Sequence, residues 1–285
     1  MPAPNSMILH RLRALLVALV LASSAGLAPG QDPAATGLAE ELLDKIVAAQ
    51  IVEGPVQRVE GYALLLNIRE RGETRREYDL DVLYRVEDGG LIRIGVQDQQ
   101  RGTKVAKGFD GRRYWLQEED GQFHDLSGRE YAKDRDSIDE GIGLAEELLL
   151  VFDLDRLRAK ARNLVVGRGG SGGLALGGNL DRGGKEWSFL LHLAADSVQV
   201  LQLELIPPGA SAFGAETPDA DPDAPQSHRY SLLKPRAFDG RLLPQLVNEF
   251  YGADTLPARQ VEIRSMKWRK PPARADLLAS ENAPR

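Results

Sequence analysis

Tyr78, Leu80, Val82, Tyr84 and Val86 fall on every second position, with Asp79, Asp81 and Arg85 between them. Period two marks a strand with one apolar and one wet face, because successive side chains of an extended chain point to opposite sides. Tyr62, Leu64, Leu66 and Ile68 form a matching set before it, and Ile92, Ile94 and Val96 follow. The joins Arg71-Gly72-Glu73, Asp88-Gly89-Gly90, Asp110-Gly111 and Asp120-Gly121 carry hairpin chemistry. The pattern predicts antiparallel strands over Val56–Arg71, Thr74–Val86, Leu91–Gln97, Gly102–Phe109, Arg112–Gln117 and Gln122–Leu126. At about 3.3 Å per residue the first two reach beyond ~30 Å, long enough to curl around something. Strands resume over Leu164–Val166, Leu174–Asp181, Lys185–Ala194, Val198–Ile206, His228–Phe238, Leu243–Tyr251 and Gln260–Trp268.

Two stretches carry helical spacing instead. Leu38, Leu42, Ile46 and Ala49 make one stripe over Gly37–Gln50, with Thr36 as N-cap and Gly54-Pro55 as the stop. A second helical region interrupts the sheet from Ser137 to Arg162. Ser137 and Glu140 have capping-box spacing, and Asp134, Asp136 and Asp139 suit a helix N-terminus. Ile138, Ile142, Ala145, Leu149 and, with them, Leu148 and Phe152 mark its apolar side. Gly141 and Gly143 weaken it by about 1 kcal/mol each, which points to close backbone packing or a hinge. Asp153 or Asp155 is placed to cap a further helix, with Arg156, Lys160 and Arg162 on a solvated face. The expected fold class is mainly β (α+β): an unclosed antiparallel β-barrel, or strongly curved sheet, with an N-terminal helix and an inserted helical lid.

Residues 1–30 stand apart. Arg11 and Arg13, the apolar run Ala14–Ala22 and the small residues up to Gly30 have the layout of a cleavable signal peptide. That run is shorter than the ~20 residues that a bilayer span requires. The expected organisation is a leader at 1–30, one domain at 31–270 with a mobile proline- and aspartate-rich loop at 207–226, and a flexible tail at 271–285. A periplasmic location follows, with no membrane span once the leader is removed.

The formal charge of −6 includes Arg11 and Arg13, so the mature chain carries −8, from 34 basic against 42 acidic residues. Such an acidic chain is a poor partner for nucleic acid. With no cysteine there is no disulfide, thiol nucleophile or thiolate metal site.

Two motifs invite a catalytic reading and lack its context. Gly167 to Gly172 matches G-x-G-x-x-G, but Gly173, Gly177 and Gly178 follow where a phosphate-binding helix would have to begin. Gly169 to Gly173 brackets Ser171 as G-x-S-x-G, again without the helix of a nucleophile elbow. His124, His192 and His228 are far apart in sequence and form no zinc motif. Asp219, Asp221 and Asp223 alternate without the glycine and terminal glutamate of a calcium loop. No catalytic residue, metal or cofactor is expected, and the chain is read as a non-enzyme.

The apolar faces of the strands remain to be used. Tyr62, Leu64, Leu66 and Ile68 would stack beside Tyr78, Leu80, Val82 and Tyr84, and these beside Ile92 and Ile94. Such a wall suits an acyl chain, at about 0.8 kcal/mol per buried methylene. Trp115, Ile142, Leu148 and Phe152 complete the expected lining. The alternative is a non-catalytic interaction or sensor module that binds an envelope protein partner.

The segments Leu83-Tyr84-Arg85-Val86-Glu87-Asp88-Gly89-Gly90-Leu91-Ile92-Arg93 and Lys107-Gly108-Phe109-Asp110-Gly111-Arg112-Arg113-Tyr114-Trp115-Leu116 pass from strand to strand through Asp-Gly turns. With the leader, the first helix and the insert bearing Leu148-Leu149-Leu150, the chain resembles the bacterial outer-membrane lipoprotein carrier (LolA-like) family. The resemblance implies an unclosed barrel, a helical lid and binding of lipoprotein acyl chains. It also implies a lid-locking arginine, for which Arg69 and Arg85 are the candidates. The loop at 207–226 is an addition to the family pattern.

Overall fold

The computed structural model describes residues 33–54, 59–72, 75–86, 90–98, 102, 104–168, 173–182, 184–210 and 226–277. The expected leader, the expected turn at Asp88-Gly89, Ser171, most of the expected loop at 207–226 and residues 278–285 lie outside the described residues.

Helix α1 (Pro33–Gln50) precedes six strands: β1 (Gly61–Glu70), β2 (Arg76–Arg85), β3 (Leu91–Asp98), β4 (Lys104–Phe109), β5 (Tyr114–Gln117) and β6 (Phe123–Asp125). Helices α2 (Ala132–Phe152) and α3 (Leu154–Lys160) follow. The chain then returns through β7 (Arg162–Arg168), β8 (Leu174–Arg182), β9 (Lys185–Leu193), β10 (Val200–Ile206), β11 (His228–Phe238), β12 (Arg241–Tyr251) and β13 (Arg259–Lys267), ending in a short α4 (Arg274–Leu277).

All thirteen strands join one sheet in the order β6-β5-β4-β3-β2-β1-β13-β12-β11-β10-β9-β8-β7. The first half of the chain winds outward from β1, and the second half winds back inward to β13. Pairing of β1 with β13 joins the halves, and β6 and β7 remain as the two edges, so the barrel is unclosed.

The curvature follows from α2. Lys107 on β4 donates to Ser137 Oγ (2.6 Å), while Arg182 on β8 ion-pairs with Glu147. Ser137 and Glu147 lie about 15 Å apart along a helix, whereas nine strand spacings separate β4 from β8, about 43 Å in a flat sheet. One short helix reaches both strands only because the sheet curls around it.

Strand β1 is ten residues long rather than the sixteen expected from Val56–Arg71, and β2 is likewise ten. Before β1, the Val59 N–H donates to Asp153 Oδ2 (3.0 Å) instead of to a neighbouring strand, which takes the chain out of the ladder. Helix α2 begins at Ala132, ahead of the expected capping box. Asp153 precedes α3 but makes no side-chain cap bond, since its carboxylate is engaged elsewhere. Arg156, expected on a wet face, is buried at 8% exposure, and Arg162 belongs to β7. The tail begins with α4, whose Leu277 is fully buried and which packs on β2 and β3.

Candidate functional site

Cross-strand partners share a face, so the ladder assigns each side chain to the concave or convex surface. Tyr62 pairs with Tyr84, and Tyr84 with Ile92; Leu66 pairs with Leu80, and Ile68 with Tyr78. All the strand positions expected in the wall except Trp115 therefore point inward. Tyr62, Leu64, Leu66, Ile68, Val82, Tyr84, Ile92 and Ile94 are buried, whereas Tyr78 and Leu80 are half-buried. Trp115 is a correction: it pairs with Gly108, and Gly108 with Arg93, which places the indole on the convex face, where it stacks on Phe123 (6.0 Å). Arg69 and Arg85 also occupy convex positions. Arg69 Nε donates to Glu77 (3.1 Å) and Arg85 Nη1 to the Pro272 carbonyl (2.9 Å), both on the side of the sheet away from the cleft. The side chains of Leu148 and Phe152 lie outside the described residues.

Between α2 and the concave face lies a cleft of about 570 Å³. One side is apolar: Leu66 and Ile68 of β1, Tyr78, Leu80 and Val82 of β2, and Ile94 and Val96 of β3. Tyr62 shares that wall, while Leu64, Tyr84, Ile92 and Ile142 pack into the core beyond it. Helix α2 contributes Ser137, Gly141, Gly143, Ala145 and Glu147. Gly141 lets the helix approach β3, because a Cβ there would sit 2.5 Å from Ile94 Cδ1.

The other end is polar, and the period-two pattern did not single it out. Arg182, His228, Glu249, Tyr251 and Arg259 line it from β8, β11, β12 and β13. Arg259 Nη1 donates to Glu249 (3.1 Å), and its Nε lies 3.4 Å from Glu70, which accepts from the Tyr78 hydroxyl (2.6 Å). Glu147 comes down from the lid onto Arg182 and the Tyr230 hydroxyl, with His228 Nδ1 3.5 Å away. Burial alone would raise the Glu147 pKa, but His228, Arg182 and Tyr230 outweigh it and hold the carboxylate below its ordinary range. Burial raises the pKa of Tyr230, and the negative charges of Glu147 and Glu249 add to this, so it stays a neutral donor. These residues were legible only as inward positions continuing the apolar parity of β11 and β12, such as Glu249 after Leu243 and Val247.

Two tyrosines hold α2 at further points. Tyr62 Oη donates to the Ala145 carbonyl (3.0 Å) and Tyr114 Oη to Asp139 (2.8 Å). A separate apolar pocket of about 270 Å³ lies between α1 and β9–β12, bordered by Ile46, Leu191, Leu203, Leu232 and Leu243. Among the described residues, no cluster of three histidine, cysteine, aspartate or glutamate side chains could hold a metal. Nor is any helix among them long and apolar enough to cross a membrane.

No protein-family model matches the sequence, and no curated protein matches it significantly. Among solved structures, the chain is similar to an outer membrane lipoprotein-sorting protein domain from Vibrio parahaemolyticus. There the identity is 9% and the TM-score 0.45, over 84% of this chain and 95% of the other. It is similar to a LolA superfamily protein from Nitrosomonas europaea, at 11% identity and a TM-score of 0.43, over 85% and 97% of the two chains. The MucA/MucB complex of Pseudomonas aeruginosa is a weaker likeness, with 16% identity and a TM-score of 0.20 over 85% of this chain and 61% of that one.

Proposed function

We propose that this protein is an exported periplasmic carrier, acting without catalysis, that buries an acyl chain of a lipid or lipoprotein between α2 and the wall of β1–β3. The observation that carries this reading is the unfilled wall. Leu80, Tyr78 and Val96 stand at inward positions of an otherwise buried face, yet they remain half-buried because α2 does not descend onto them. A cleft of about 570 Å³ falls within the ~300–1,000 Å³ of small-ligand sites. Each methylene moved from water into it contributes about 0.8 kcal/mol. The periplasmic part of the reading rests on the leader at residues 1–30.

Delipidated protein should take up a fluorescent long-chain fatty acid saturably, with one site per chain. Leu80→Trp, which fills the cleft from its half-buried wall, should abolish uptake while leaving the melting temperature near that of the parent. Absence of saturable uptake by the parent overturns the proposal, as does full uptake by a folded Leu80→Trp variant.

A further inference from the structure

Three donors from two strands converge on one lid carboxylate. Arg182 lies at the end of β8, while His228 and Tyr230 lie on β11, with β9 and β10 between them in the sheet. All three point inward and meet at Glu147, whose side chain is 7% exposed. Their positions are fixed independently of Glu147. The Arg182 guanidinium lies over the Trp187 ring at 4.5 Å, and His228 meets Trp187 and Tyr251 edge-on at 6.1 and 5.1 Å. Glu147 leaves donor capacity unused: among the described residues the buried Arg182 Nη1 has no hydrogen-bond partner, and His228 Nδ1 comes no nearer to Glu147 than 3.5 Å. One turn before it, Gly143 leaves room: a Cβ there would find only Arg182 Nη2, at 3.9 Å. The nearby carboxylate of Glu249 is already matched by Arg259.

We propose that Arg182, His228 and Tyr230 form a subsite for the anionic headgroup, carboxylate or phosphate, of an amphiphile, and that Glu147 fills it in the closed protein. The inference rests on the cleft reading above and deepens it. From β11 to β3 there are five strand spacings, about 24 Å if flat and less when curled. A long chain leaving the headgroup would therefore run along Ile68, Leu80 and Val82. An arriving anion exchanges one charge-assisted bond set for another, so its electrostatic cost is small. The same exchange frees Glu147 and detaches α2 from the second half of the sheet. Headgroup binding and lid release are then one event.

Delipidated protein is titrated with palmitate, hexadecyl phosphate, hexadecanol and inorganic phosphate. Glu147→Gln removes the internal competitor and should strengthen both anionic amphiphiles about tenfold while leaving hexadecanol unchanged. Adding Arg182→Met to that variant should erase the preference. In the parent, palmitate should deprotect the α2 amides in hydrogen exchange, and hexadecanol should not. An unchanged palmitate-to-hexadecanol ratio in Glu147→Gln overturns the subsite, as does equal α2 protection with the two ligands. The exchange result decides the matter if the variant fails to fold. Inorganic phosphate binding as tightly as hexadecyl phosphate overturns the amphiphile assignment. Hexadecanol bound without any anionic preference removes this subsite alone, whereas no binding of either palmitate or hexadecanol removes the cleft reading as well.

Discussion

Arg241 Nη1 lies 3.1 Å from Asp153 Oδ1, with the two side chains 2% and 0% exposed. The pair ties β12 to the junction of α2 and α3. Asp153 Oδ2 accepts from Val59 N, and Gln50 at the end of α1 accepts from Leu154 N (3.3 Å) and Arg241 (3.4 Å). The Trp268 ring lies 4.4 Å from the guanidinium. Removing one partner strands a buried charge. Asp153→Ala or Arg241→Met should therefore cost about 3–5 kcal/mol in denaturant unfolding, and the Asp153→Leu/Arg241→Met double variant should recover much of it. Additive losses in the double variant would contradict this account.

Acid should loosen the lid through Glu147. Its folded pKa lies below the ordinary 4.5, so its stabilisation is present above that value and is lost as pH falls through the depressed one. Melting temperatures followed from pH 6 to 3 should fall more steeply in the parent than in Glu147→Gln. Parallel curves would show that the carboxylate does not carry this dependence.

Arg156 is buried at 8% exposure, and its Nη1 has no hydrogen-bond partner among the described residues. A buried guanidinium nitrogen left without a hydrogen bond costs free energy, whereas a methionine fills similar volume without that cost. Arg156→Met should raise stability by about 1–3 kcal/mol, read as a higher denaturant midpoint at unchanged slope. A lowered midpoint would mean that the cation is compensated in solution.

Gly108 marks where the convex face has no space. A Cβ there would press on the Ile92 carbonyl and sit 2.8 Å from Trp115 Cζ2. Gly108→Ala should destabilise by about 1–3 kcal/mol through overpacking and shift the Trp115 emission. An unaltered spectrum and midpoint would show that the indole moves aside freely.

Much of the sheet was written in local pattern. Tyr62, Leu66, Leu80 and Ile94 were placed on one face by alternation alone, because a strand offers each residue only two directions. Gly141 was legible as a close approach or a hinge, and a Cβ there would sit 2.5 Å from Ile94 Cδ1. Trp115 was misplaced because a short strand with Tyr114, Trp115 and Leu116 in succession is apolar at either parity. Only its partner Gly108 decides the face.

By itself the sequence determined the strands, their apolar sides, the helical insert and an apolar wall, since each depends on neighbours within a few residues. The β1–β13 seam, the curl around α2 and the meeting of Glu147 with Arg182, His228 and Tyr230 were decided only by tertiary structure. Those contacts join residues far apart in the chain, and no local periodicity records which distant charge a buried carboxylate will find. The same holds for Asp153 and Arg241, whose desolvation is tolerable only because the fold delivers each to the other.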